Sequence, residues 1–257
     1  GGRDDQRAHR VFCRLRAGRM KGRLKTAVRA GWCAAVVALT VQSGVAHAEV
    51  AAADPIDASM RTCLARGDMS STAGQVQCME TARAAWQSAS DLAYQQLLAK
   101  VKASQRKGWE RSQRSWKAWR DAEAPMLRAV FETTRGTMYV LFEADMQLQP
   151  VRDRALTLRS AAANAGTASG GNKPAPRPRA CSRDADCAHA DRDLNRYYQR
   201  LRREMPSRAR PTLVRAQRAW LGFRDATTPL VDARGQIDII GARVATLKRL
   251  SETVGND

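Results

Sequence analysis

The chain of 257 residues carries 44 lysines and arginines against 25 aspartates and glutamates, a formal net charge of +19 at pH 7. Its hydrophobic content of 44% is enough for a core in one or two domains. It has three histidines and no glycine-rich loop of the phosphate-cradling kind, so metal and nucleotide chemistry have little support.

The first 48 residues have the order of a secretory leader. After Met20, the expected translation start, a basic segment precedes an apolar run that ends in Ala-His-Ala at 46–48. This order predicts a signal peptide that is cleaved before Glu49. The alternative is an uncleaved inner-membrane signal anchor, although polar residues interrupt the run before it reaches the length of a comfortable membrane span.

The mature chain stays basic after this cleavage. The leader holds 10 Lys/Arg and 2 Asp/Glu, so the remainder holds 34 and 23, a net charge of +11. An exported basic protein meets lipid phosphates, acidic wall polymers or acidic proteins, so no nucleic acid partner is expected. The alternative is that these charges are simply solvated helix surface.

Four cysteines remain after cleavage, in two close pairs: Cys63 with Cys78, and Cys181 with Cys187. An even number in an oxidising compartment predicts disulfides. Of the three possible connectivities, proximity in the sequence favours the one within each pair. A zinc site lacks support, because His189 is the only histidine left and neither pair has C-x-x-C spacing.

The same motif occurs twice in the chain. The segment QRSWKAWRDAEAP at 113–125 and the segment QRAWLGFRDATTP at 217–229 share Gln, Arg, Trp, Arg, Asp, Ala and Pro at a constant offset of 104 residues. The same offset places Tyr94 on Tyr198, so the register holds without a gap. This is an internal duplication.

The duplication divides the mature chain into two repeats, at 55–162 and 181–257. The segment 163–180 is rich in Gly, Ser, Ala and Pro without apolar rhythm, which predicts a flexible linker and separately folding halves. Three helices are predicted in each repeat from apolar spacing of three and four residues. They cover about 82–101, the motif helix, and 138–158 in the first repeat, and 191–204, the motif helix before Pro229, and 237–250 in the second. The predicted fold class is therefore all-α, with two tandem small antiparallel helical bundles, each with a local disulfide.

Nothing in the sequence singles out a catalytic site. A nucleophilic triad would have to use His189, which has no nucleophile motif nearby, and no carboxylate pair stands out among many. We therefore predict a protein that is not an enzyme and that has no cofactor.

The repeated aromatic and charged residues have two interpretations. At i, i+4 on a helix, Arg224 can lie over Trp220 and Arg120 over Trp116, as cation–π pairs worth about 0.5–1 kcal/mol where exposed. They form either a polar recognition face used twice, or a packing tryptophan whose polar neighbours fix helix ends.

The cysteine-containing entry, the element D-x-x-L-N-x-x-Y and the motif Q-R-x-W-x-x-[FWY]-R-D-A together resemble the LprI-type lysozyme inhibitor family. The second repeat carries the pattern most fully, at Cys181, Cys187, Asp191, Leu194, Asn195, Tyr198, Leu201, Gln217, Arg218, Trp220, Arg224 and Asp225. The first repeat lacks the D-x-x-L-N element.

The resemblance implies a periplasmic or secreted helical module that binds and inhibits a lysozyme or another muramidase. The candidate binding residues are Asp191, Asp193, Asn195, Gln217, Arg218, Trp220, Arg224 and Asp225. The dense acidic turn from Asp184 to Asp193 is the expected contact for a basic partner. The alternatives are a module that binds an anionic envelope glycan or lipid, and a scaffold for another envelope protein.

Overall fold

The computed structural model describes residues 53–167 and 181–256. The predicted leader, its cleavage site and most of the predicted linker lie outside these residues. In the described part every regular element is helical, which confirms the all-α prediction. The seven α-helices are α1 (Pro55–Leu64), α2 (Thr72–Lys100), α3 (Ala103–Phe131), α4 (Thr137–Thr167), α5 (Ala185–Glu204), α6 (Arg210–Thr227) and α7 (Ala233–Thr253).

Side-chain caps explain where several of these helices begin. Asp54, Ser71, Asp184 and Asp232 each accept a hydrogen bond from a backbone N–H in the first turn of α1, α2, α5 and α7. At the start of α2, Gly74 is required by space, because a Cβ there would lie 2.8 Å from the backbone of Met69.

Both predicted disulfides are confirmed. Cys63 bonds to Cys78 and ties α1 to α2, and Cys181 bonds to Cys187 at the start of α5. Each cross-link therefore lies at the entry of one repeat.

The sequence pattern predicts three helices for the first repeat, which has a fourth, α1, and most of the other helices extend beyond their predicted bounds. The motif helix α3 continues through Pro125 to Phe131, whereas its counterpart α6 ends at Thr227, before Pro229. Pro125 is exposed, and the helix beyond it buries Met126, Leu127 and Val130, which compensates for the hydrogen bond that proline cannot donate. Helix α4 continues to Thr167, five residues into the segment predicted as a linker.

The motif helices of the two repeats, α3 and α6, pack against each other and run antiparallel. Ser112 bonds to Thr227 at 2.7 Å near one end, and Trp119 stacks on Phe223 with ring centroids 5.3 Å apart near the middle. Trp119 and Phe223 match each other at the 104-residue offset, so the repeats meet across a local twofold pseudo-symmetry. In addition, α2 packs on α4, and α5 packs on α7.

This arrangement gives the two repeats one core. A single cluster of buried side chains includes Trp86, Trp116 and Met126 from the first repeat with Leu201 and Trp220 from the second. The linker predicts two halves that fold separately, whereas in the structure the two repeats share this core. The apolar stripe of each motif helix is buried against the other repeat as well as its own.

No helix in the described part of the chain is long and apolar enough to cross a membrane.

Candidate functional site

A glutamine–arginine pair occurs once in each repeat, buried in the first and partly buried in the second. Arg154 on α4 donates from Nε to Oε1 of Gln113 at 2.9 Å, and Arg243 on α7 donates from Nε to Oε1 of Gln217 at 3.0 Å. The motif glutamine therefore binds the helix that follows the motif helix in its own repeat. The offset of 104 does not align these following helices, α4 and α7, which match at an offset of 89 through the shared R-x-x-T-L at 154–158 and 243–247.

The two arginines differ in their counter-charge. Arg243 is 2% exposed and forms an ion pair across the repeat interface with Glu123, which is also 2% exposed. Glu123 further accepts a hydrogen bond from Nε1 of Trp119 at 3.0 Å. The position that matches Glu123 in the second repeat is Thr227, whose hydroxyl bonds to Ser112.

Arg154 consequently has neutral partners. Its Nη2 donates to Oγ of Ser112 at 3.1 Å, and its Cζ lies 5.6 Å from the ring centroid of Phe223. The side chain is only 3% exposed, and this burial lowers its pKa to about 9. Arg154 therefore remains charged at neutral pH, in a place where water cannot reach most of it.

Both arginines line a cleft between α4 and α7 that lies over α3 and α6. The cavity volume is about 870 Å³. An ion pair at 3.1 Å between Arg249 of α7 and Asp145 of α4 crosses it. The apolar lining comes chiefly from Trp116, Trp119, Trp220, Phe223, Met146 and Ile239.

Part of the predicted binding set is internal. Trp220 is 1% exposed and belongs to the core, and Gln217 holds Arg243. For these two residues the geometry is that of packing and helix positioning.

Another part meets at the outer surface of the second repeat. Arg224 lies over Trp220, 5.6 Å from the ring centroid, which confirms the predicted cation–π pair in this repeat. The same guanidinium pairs with Asp225 at 2.9 Å and lies 3.9 Å from Asp191 of α5. A half-buried carboxylate, an exposed carboxylate and one arginine thus share an edge between α5 and α6, and Asn195, four residues after Asp191 on α5, is exposed. We call Asp191, Asn195, Arg224 and Asp225 the α5–α6 edge.

The remaining predicted residues do not join this edge in any contact. Asp193 pairs with Arg196 at 3.2 Å and with His189 at 3.5 Å along α5, and Arg218 is exposed on α6. Asp184 caps α5 by accepting from the backbone N–H of Cys187 at 2.9 Å. The acidic turn is therefore largely used within its own helix.

The first repeat has no counterpart of the α5–α6 edge. Arg120, which matches Arg224, donates to the backbone carbonyl of Gln147 at 3.2 Å and lies 5.9 Å from the ring of Trp119, where the sequence predicts Trp116. Burial lowers the pKa of Arg120. Arg120 and Arg224 are both half-buried, but Arg120 bonds to the backbone of α4 whereas Arg224 pairs with carboxylates at the surface.

Over residues 53–167 and 181–256, no three His, Cys, Asp or Glu side chains are grouped so that they would hold a metal ion. The features described above define a duplicated, disulfide-bonded helical module with a surface edge and an internal cleft.

The chain belongs to the LprI lysozyme inhibitor family, whose model matches residues 63–158 in the first repeat and 171–250, which begins in the predicted linker and covers most of the second repeat. It is also similar to the crystal structure of an uncharacterized protein from Burkholderia thailandensis. The two share 58% sequence identity with a TM-score of 0.77, over 80% of this chain and 100% of that one. Among curated proteins, none matches the chain.

Proposed function

We propose that the mature chain is a non-catalytic envelope protein that binds and inhibits a lysozyme or another muramidase, through the α5–α6 edge of the second repeat. Membership of the lysozyme inhibitor family supports the activity. The observation that carries the location is Arg224, which holds the carboxylates of Asp191 and Asp225 at the surface.

The α5–α6 edge gives this basic chain a local acidic feature that a basic partner can contact. Animal-type lysozymes are strongly basic, so a chain with a net charge of +11 after residue 48 is repelled from them at long range. Binding then depends on a local acidic feature that is already positioned. The first repeat lacks this feature, because Arg120 bonds to a backbone carbonyl and Gln87 stands at the position that matches Asp191.

The edge includes the exposed side chains of Asn195 and Asp225, which can reach into a partner whose active site is a groove. A cleft such as the one between α4 and α7 cannot fill another cleft. The contact with a muramidase is therefore assigned to the exposed edge.

The test is muramidase inhibition by residues 49–257 and by the double variant Asp191→Asn/Asp225→Asn, at low ionic strength. The whole mature chain is used because the two repeats share one core. Losing two carboxylates that face a basic partner is expected to weaken inhibition roughly tenfold, mainly through slower association. The matched control is Asp121→Asn, at the exposed position in the first repeat that corresponds to Asp225.

The proposal fails if the mature protein slows no lysozyme at micromolar concentration. If instead the control variant weakens inhibition as much as the double variant does, the α5–α6 edge is the wrong surface.

We further propose that the protein is released into the periplasm or secreted after cleavage before Glu49, with the inner-membrane signal anchor as the alternative. Sequencing the N-terminus of exported protein should give Glu49 as its first residue. Membrane-bound protein that retains Met20 would contradict release.

A second candidate function is binding of an anionic envelope glycan or lipid. Exposed arginines recur in register on the two motif helices, at Arg111 and Arg114 on α3 and at Arg215 and Arg218 on α6. Such a doubled basic surface suits a polyanion. The test is co-sedimentation with phosphatidylcholine vesicles with and without phosphatidylglycerol, at low and high salt. If the bound fraction depends neither on phosphatidylglycerol nor on the salt concentration, this function is excluded.

A further inference from the structure

The duplication supplies an internal reference for Arg154. Its counterpart Arg243 has a buried carboxylate partner, Glu123, on the other repeat. By the pseudo-symmetry, the carboxylate for Arg154 would come from position 227, where a threonine stands. A buried arginine without a counter-ion is costly, because desolvation of the charge is repaid only by a nearby opposite charge.

Two buried donors at this place lack acceptors in the described part of the chain. They are Nη1 of Arg154 and Nε2 of Gln113, whose Oε1 already accepts from Arg154. Adjacent donors beside a positive charge favour a negatively charged acceptor.

Arg154 also lines the cleft between α4 and α7, which has space for such an acceptor on a larger molecule. The volume of about 870 Å³ is within the range of small-molecule sites. Aromatic and aliphatic side chains make up much of the lining, including Trp119, Phe223 and Leu156. These surfaces favour an apolar ligand body.

The charged residues that line the cleft further restrict the class of ligand. Asp153 and Asp238 are exposed and line the cleft. Lys248 and Arg249 are also exposed and line it, so the cleft presents both signs of charge rather than the continuous basic surface that a polyanion such as a wall polymer needs. A ligand with one charged head needs only Arg154.

From these observations we propose that the cleft between α4 and α7 binds an amphipathic organic anion, with its single carboxylate or phosphate head at Arg154 and its apolar body along the aromatic lining. This activity is separate from muramidase inhibition, which we assign to the α5–α6 edge.

The experiment uses the mature chain and the intrinsic fluorescence of the three tryptophans in the cleft lining, Trp116, Trp119 and Trp220. The probes are decanoate, decyl phosphate and 1-decanol, which share the apolar body and differ in the head. Decanoate or decyl phosphate is expected to change the emission with an affinity roughly tenfold or more above that of decanol, as one charge-assisted hydrogen bond would give. Comparing the two anions decides between a carboxylate and a phosphate.

Two variants remove the proposed interaction by opposite means. Arg154→Met removes the cation, and replacing a buried charge by an apolar side chain of similar size is compatible with folding. Thr227→Glu instead supplies the carboxylate that Glu123 provides to Arg243. Both variants should bring the affinity for the anions down to that for decanol. Arg106→Gln, which removes an exposed charge on α3 outside the proposed binding surfaces, should leave the preference unchanged.

Circular dichroism and thermal melting establish which variants are folded, and either folded variant is sufficient for the comparison. The proposal is overturned if decanol binds as tightly as the anions, or if a folded variant keeps the preference for the anions. It is also overturned if none of the three probes changes the fluorescence, since Arg154 is then only a structural link between α4 and α3.

Discussion

The ion pair between Glu123 and Arg243 joins the two repeats, and its removal should show how strongly they depend on each other. Both side chains are 2% exposed, so the substitution Glu123→Gln leaves a buried arginine without its counter-ion. The amide retains the size of the side chain and one oxygen that can accept from Arg243, while its NH2 group faces Nε1 of Trp119. The change therefore removes the charge and the hydrogen bond from Trp119.

Breaking a buried pair by removing one partner costs about 3–5 kcal/mol. The lower value applies here, because the glutamine can still accept a hydrogen bond from Arg243. In a chain of this length, about 3 kcal/mol corresponds to a fall in Tm of about 6–12 °C. Differential scanning calorimetry at neutral pH measures it, with the exposed Glu132→Gln as the control, which should move Tm by about 1 °C or less.

A compensating variant tests the physical reason. Because the cost comes from the unpaired charge, Glu123→Gln/Arg243→Met should recover most of the lost Tm. If the single variant melts within 2 °C of the parent, at the scale of exposed substitutions, the two repeats are not held together by this pair as argued. If the double variant is less stable than the single one, the charge is not the origin of the cost.

Three other predictions concern cross-links, cleavage and acid. On the chain-entropy model, replacing the Cys63–Cys78 disulfide by serines should lower the free energy of unfolding by about 3 kcal/mol. Loss of Cys181–Cys187 should lower it by about 2 kcal/mol, because the second loop is shorter. Urea unfolding measures both values, and the reverse order would contradict the model. Limited proteolysis is predicted to cut the chain at 173–179. Because the two repeats share one core, the two fragments should elute together in size-exclusion chromatography under native conditions. Two fragments that elute separately would refute this. Hydrogen bonds from Arg152 lower the pKa of Asp57 below its ordinary value of 3.8, so its contribution to stability is present above that value and is lost as the pH falls through the lower, folded value. Asp57→Asn should therefore lower Tm at pH 7, by a difference that shrinks when the pH falls below about 4, and a difference that is constant with pH would exclude the charge as its cause.

The helices and the disulfides were accessible from the sequence because they depend on local patterns. Apolar spacing places the end of α5 at its observed residue and both ends of α7 within four residues, whereas α5 begins six residues earlier than predicted. Pairs of cysteines near each other in the sequence form the observed bonds. The motif identifies the duplication and the family. Arg224 over Trp220 also follows from helix spacing alone.

The shared core was not accessible in the same way. An apolar stripe such as that of Trp116 and Trp119 shows that a helix face is buried, but not whether it packs on its own repeat or on the other. The arginine partner of the motif glutamine could not be found from the repeat alignment, because the offset changes from 104 at the motif helices to 89 at α4 and α7. The acidic turn appears as a surface charge cluster in the sequence, whereas the structure uses Asp184 as a cap and pairs Asp193 along the helix.

The fusion of two repeats into one chain explains how the asymmetry at the cleft can persist. In a symmetric homodimer of one repeat, a threonine in place of Glu123 would occur in both copies and leave two buried arginines unpaired, at roughly twice the cost of one. In the fused chain one copy keeps Glu123 with Arg243 and holds the interface, while the other carries Thr227 and leaves Arg154 without a carboxylate. One half of the interface can thus maintain stability while the matching half acquires a different use. A buried arginine that opens onto a cleft is the kind of feature that such a division of roles allows.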